Sequence, residues 1–149
     1  MLASILIMAV SAALLVYWFR YTCLLILRTR TAKDYAADLA AINGLTFPGV
    51  QETALGAAST DELSAIERSL ERDYRLLTYL LKQSSDLHVG GLTIEQRMLI
   101  LDYRLMRLLF TLTHGMAISR ARAAVMEMTD VLSHLANAMG ERVQATSRG

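Results

Sequence analysis

Hydrophobic positions divide this chain into two regimes. Leu2 to Phe19 is a run of 18 residues without a charge and with nothing more polar than Ser4, Ser11 and Tyr17. From Ser59 onward apolar residues recur at helical spacing instead. At 1.5 Å per residue the first run spans roughly 27 Å, enough for a bilayer core. Aromatic residues then cluster at Tyr17, Trp18, Phe19 and Tyr21, followed by Arg20, Arg28, Arg30 and Lys33 with no acid before Asp34. Apolar span, aromatic belt and positive flank are the order of a membrane anchor. Residues 1–30 are expected to be that anchor, with Tyr17, Trp18, Arg20, Tyr21, Arg28, Arg30 and Lys33 at the membrane interface. The positive flank predicts an outer N-terminus and a cytoplasmic remainder, as in a bacterial inner-membrane protein. A cleaved signal fits poorly. No Lys or Arg precedes the run, and Leu14 to Phe19 directly follows the small residues that would have to form the cleavage site.

Residues 31–58 read as a helix and connector. Ala32, Ala36, Ala37, Leu39, Ala40 and Ala41 favour helix, and Asn43-Gly44 stops it. Pro48-Gly49 and Gly56 mark the connector, with room for one short helical turn. Residues 59–144 carry three longer periodic segments, expected as helices over about 60–84, 93–114 and 119–144. Ser59 or Thr60 with Glu62, and Thr93 with Gln96, have capping-box spacing. Leu63, Ile66, Leu70, Tyr74, Leu77 and Leu81 form one face of the first, with Glu71 and Arg75 as an i,i+4 pair on its wet side. Val125, Met128, Leu132, Leu135 and Met139 form one face of the last. Gly115 and Ser119 favour a turn, with Gly115 at the cap, over one continuous rod from 93 to 144. Residues 145–149 are a polar tail. The expected fold is all-α: a single N-terminal transmembrane helix followed by a small antiparallel bundle of three to four helices.

The middle segment is apolar nearly all round. Met98, Leu101, Leu105, Leu108 and Leu112 step 3, 4, 3, 4 and are expected to face the core. Leu99, Met106, Leu109 and Phe110 are then left over, and are expected to bind a partner or be covered by residues 34–58. Asp102, Arg104 and Arg107 in its centre argue against a second membrane span.

Charge refines this picture. The net charge of +1 hides an asymmetry: four of the 15 basic residues lie in the anchor flank, so residues 34–149 hold 11 basic against all 14 acidic, a net −3. A slightly acidic domain is a poor match for nucleic acid. The single cysteine, Cys23, excludes an intramolecular disulfide and any cysteine-rich metal site.

Candidate chemistry is sparse. No two of His88, His114 and His134 stand at i,i+4; Asp130 and His134 do, but no Glu-x-x-His accompanies them. No phosphate loop, nucleophile elbow or His-Glu-x-x-His motif is present. No catalytic residue, cofactor or metal is therefore assigned. The sequence predicts a membrane-tethered, non-enzymatic helical interaction protein, an accessory or assembly subunit of a larger membrane complex. Its expected partners are the lipid bilayer and other protein subunits, a second copy of itself among them. The alternative is a small sensor or cofactor-binding bundle using His114 or His134 and nearby methionines.

Overall fold

The structure, a computed structural model, describes residues 1–29, 34–86 and 91–148. Arg30, Lys33 and His88 lie outside the described residues. The chain divides into two units, Met1–Arg30 and Thr31–Gly149. Among the described residues there are six α-helices, one 3-10 turn and no strand.

The first unit is α1, Leu2–Arg28. It is long and apolar enough to cross a membrane, with a mean hydropathy of 2.3 over its most apolar window. The helix passes through Arg20 without a break, because Cys23 to Leu27 continue in apolar, helix-compatible residues. Tyr17, Trp18 and Tyr21 are exposed on it, and the Tyr17 and Tyr21 rings lie 6.5 Å apart. It ends at Thr29, whose amide and hydroxyl both donate to the Ile26 carbonyl, at 3.0 and 2.6 Å.

The second unit contains α2 (Ala36–Asn43), the 3-10 turn (Phe47–Gly49), α3 (Val50–Gly56), α4 (Thr60–Asp86), α5 (Ile94–Thr113) and α6 (Ile118–Ser147). Gly44 closes α2 with φ of 64°, the left-handed conformation that costs glycine least. Ser59 and Glu62 cap the start of α4: Glu62 N–H donates to the Ser59 hydroxyl, and its carboxylate accepts from Ser59 and Ala58 N–H. Thr93 and Gln96 form a full capping box on α5. The turn between α5 and α6 departs from expectation. Gly115 does not take a left-handed φ, and His114 remains right-handed helical. The chain reverses at Ala117, which is extended, while Met116 and Ala117 N–H both donate to the Thr113 carbonyl.

α6 is the element on which the unit is built. α5, α4, α2, α3 and the 3-10 turn all pack against it. Eleven of its residues are buried, among them Ala121, Ala124, Val125, Met128, Leu132, Leu135, Ala136 and Met139. The small ones let neighbouring helices approach. At Gly140 the limit is reached, since a Cβ there would fall onto the Tyr35 side chain. Tyr35 is pinned beside it: its N–H donates to Asn137 Oδ1 at 2.7 Å, and its hydroxyl bonds Gln144 Oε1 at 3.0 Å.

α5 sits the other way round from expectation. Leu99, Met106 and Phe110, expected at a partner surface, are 0, 3 and 4% exposed and belong to the core with Tyr103. Leu109, the fourth, is 38% exposed. Leu101, Leu108 and Leu112, expected inside, are 55, 56 and 64% exposed. Both stripes have helical spacing, so periodicity alone does not choose between them. The choice falls to the stripe bearing Tyr103, which stacks on Tyr74 of α4, and Gln96, which Arg142 of α6 holds at 2.9 Å. Substituting Met106 and Phe110 therefore attacks the core.

Asp73 fastens the connector. It sits in mid-α4 with its side chain 1% exposed. Its Oδ2 accepts from Thr46 N–H at 2.7 Å, Phe47 N–H at 2.9 Å and the Thr46 hydroxyl at 3.0 Å. This draws Phe47 into the core, where it is fully buried. A buried donor left unmet costs about 1–3 kcal/mol. Asp73→Ala strands the buried Phe47 amide, while Thr46 is exposed and its amide can turn to water, so unfolding stability is expected to fall by about 1–3 kcal/mol, read as a fall in urea midpoint. Asp73→Asn keeps an acceptor oxygen and is expected to lose less.

Candidate functional site

Two features of α5 meet along one edge: a cleft shared with α4, and an outward apolar face. The cleft has a volume of about 630 Å³ and is lined by Tyr74, Arg75, Ile100, Tyr103, Arg104 and Arg107, among others. Its floor is the Tyr74–Tyr103 pair, with ring centroids 4.0 Å apart and planes 3° from parallel. Long side chains bridge the two helices over that floor. Arg107 reaches Glu67 at 2.7 Å and Glu71 at 3.0 Å. Glu71 also takes Arg75, at 2.9 Å. The Glu71–Arg75 pair is thus not confined to a wet face, because Glu71 is turned toward α5 and only Arg75 stays in solvent. Arg104 Nε donates to the Tyr74 hydroxyl at 3.3 Å. The hydrogen bond to Glu67 raises the proton affinity of Arg107 further, so its charge is fixed.

Tyr103 is fully buried beneath this network, and its hydroxyl has no hydrogen-bond partner among the described residues. Burial pushes its pKa far above the ordinary tyrosine value, with the Glu71 and Glu67 charges adding to the effect. The group is a neutral phenol at any physiological pH. The cleft can hold a small polar molecule, but its charged walls are already engaged with one another.

The outward face is simpler. Ile94, Leu101, Leu108, Leu109, Leu112 and Met116 are all exposed. Met98 and Leu105 lie between them, half-buried. Single exposed leucines are ordinary on protein surfaces, whereas a contiguous row of them marks an interaction site. Arg97 and Arg104 border the row on the cleft side, one turn and three residues from Leu101 respectively.

The histidines lie elsewhere. His134 borders a second cavity, of about 350 Å³, with Gln96, Leu99, Glu141 and Arg142. His114 lines neither cavity; its ring stacks on Phe110 at 5.6 Å and its Nδ1 bonds the Thr111 carbonyl at 3.0 Å. Asp130 accepts from Gln51 Nε2 at 2.9 Å, which ties α6 to α3. Burial raises the Asp130 pKa, opposed by that hydrogen bond. Sequence reasoning placed the apolar surplus on α5 but on the wrong side of it. It missed the Tyr74–Tyr103 stack and the inter-helix ion network, whose members lie some 30 to 40 residues apart in sequence.

Two outcomes follow. Tyr103→Phe removes a hydroxyl without a hydrogen-bond partner among the described residues, so it is expected to change stability by less than about 1 kcal/mol, whereas Tyr103→Ala opens the core and costs about 3–5 kcal/mol. Thermal melts of both variants check this. The second concerns pH. Burial lowers the His134 pKa below its ordinary 6.5, against the opposing pull of Glu95 and Glu141. The unfolded chain then binds more protons than the folded one in the window just below 6.5. Stability is expected to rise with pH through that window and to level off above it. His134→Gln flattens this part of the profile, measured as urea midpoint against pH.

Comparison with protein-family models, with curated proteins and with solved structures finds no match, so the chain's role is read from this geometry.

Proposed function

We propose that this protein is a membrane-tethered, non-enzymatic interaction subunit. In this reading α1 crosses the bilayer with its N-terminus outside, and residues 31–149 work in the cytoplasm as an antiparallel bundle of α4, α5 and α6 with α2 and α3 as a fourth element. Arg20 and Arg28, followed by Arg30 and Lys33, support that orientation, because positive flanks stay on the cytoplasmic side. The observation that carries the functional reading is the exposed row from Ile94 to Met116 on a unit whose core is already filled from the other side of α5. Leaving large apolar side chains in water forgoes about 1.5–3 kcal/mol each, and a partner recovers it. The role of accessory or assembly subunit follows from the pairing of an anchor with such a face. The alternative of a ligand-binding sensor draws on the Tyr103 hydroxyl beside the cleft rather than on the histidines.

The test is a double substitution, Leu101→Glu with Leu108→Glu, in the full chain. Blue-native electrophoresis of membranes is expected to show loss of the native assembly, while thermal unfolding stays within about 1 kcal/mol of the parent because both sites already face water. An unchanged assembly overturns the reading. For orientation, a cysteine placed at Ser147 in a Cys23→Ser background is expected to react with an impermeant reagent only after permeabilisation. Labelling in intact cells overturns it.

A further inference from the structure

We infer that the cleft between α4 and α5 is a binding site for a small organic carboxylate that also carries a hydroxyl. The inference goes beyond the interaction reading and does not depend on it, since it uses the cleft and not the outward row. At about 630 Å³ the cleft has the size of a small-molecule site. Engagement of its walls leaves charge over. Arg75, Arg104 and Arg107 line it, and two carboxylates answer them: Glu67 holds Arg107, and Glu71 holds both Arg107 and Arg75. Arg104 meets no carboxylate among the described residues. Its Nε donates to the Tyr74 hydroxyl, which leaves Nη1 and Nη2 for another acceptor. Those two nitrogens form a fork matched to the two oxygens of a carboxylate. A single uncompensated arginine suits a monoanion better than a doubly charged phosphate.

Two buried atoms say what else the ligand carries. Tyr103 lines the cleft and is fully buried, and its hydroxyl has no hydrogen-bond partner among the described residues. The same is true of Glu71 Oε2, on another lining residue. The first is a donor, because burial keeps the phenol protonated, and the second is an acceptor. Buried polar atoms without partners are costly, so they mark places where a bonding group belongs. A ligand hydroxyl satisfies both at once, accepting from Tyr103 and donating to Glu71. Glu71 does not turn the ligand's carboxylate away, because Arg75 at 2.9 Å and Arg107 at 3.0 Å offset its charge. Ile100, half-buried on α5, gives the body of the ligand an apolar wall.

Calorimetric titration of the full chain in detergent micelles at neutral pH, corrected with protein-free micelles, tests this. The probe is 4-hydroxyphenylacetate, which has a carboxylate at one end and a hydroxyl at the other. Phenylacetate lacks the hydroxyl, and 4-hydroxyphenylacetamide lacks the charge. The probe is expected to bind about tenfold more tightly than either analogue, since each loses a hydrogen bond to a charged group. Arg104→Gln is expected to weaken the probe by about tenfold, and its side chain is exposed, so the fold is not at stake. Tyr103→Phe, expected to keep its stability, separates a ligand contact from a packing role. It is expected to shrink the preference over phenylacetate by about fivefold while phenylacetate itself binds as before. Absence of binding by the probe overturns the inference, as does equal binding of the probe and either analogue. An Arg104→Gln variant that binds the probe as the parent does, or a Tyr103→Phe variant that keeps the full preference, overturns it too.

Discussion

Everything in the second unit depends on one helix being approachable from several sides. α6 meets α2, α3, α4, α5 and the 3-10 turn, so its apolar residues must serve several sides and be short where neighbours crowd it. Alanine at 121, 124 and 136 meets the second demand, and Leu132 and Leu135 fill the wider gaps. Gly140 shows how tight the constraint is, because even a methyl group would displace Tyr35. With α6 enclosed, no other helix needs to be central. α4 and α5 become walls, each free to keep one face in water.

That arrangement explains where polar groups were placed. Walls that share a central helix but lean apart need long-range fasteners. Arg107 spans the gap to Glu67 and Glu71, and the tyrosine pair fills the space below. Asp73 plays the same part on another side of α4, holding the connector by three hydrogen bonds to a single oxygen. Exposed ion pairs contribute little to stability, and Arg107 is partly exposed. The network therefore fixes the spacing of α4 and α5 more than it strengthens the fold. Asp73 is different, since its own side chain is buried and one of its partners, the Phe47 amide, is buried with it.

Local structure was legible in the sequence wherever a local rule decides it. The caps at Ser59 and Thr93 and the stop at Gly44 depend on residues three or four apart, and each forms as its spacing implies. The apolar length of α1 was equally plain. The all-α class follows from the same signals. What stayed hidden was non-local. Which side of α5 turns inward depends on Tyr74 and Arg142, neither of which is near it in sequence. An amphipathic helix announces its core face by contrast with its polar face; a helix apolar on both sides offers no contrast. Arg97 and Arg104 were the available clue. They flank the Leu101–Leu108 row, and arginines border water-facing surface more readily than they enter a core.

The reversal on α5 separates two requirements that share one helix. Its inner row, Leu99, Tyr103, Met106 and Phe110, is answerable for folding. Its outer row contributes little to the unit's own core, because the core closes without it. A row of exposed leucines has no advantage for a free domain, which risks non-specific association through it. It becomes an advantage when a tether confines the domain to a surface, since confinement raises the effective concentration of whatever shares that surface. On a shared surface a modest contact then suffices. In the proposed reading α1 supplies the tether and the outer face of α5 the contact, with α6 as the back that keeps the face presented.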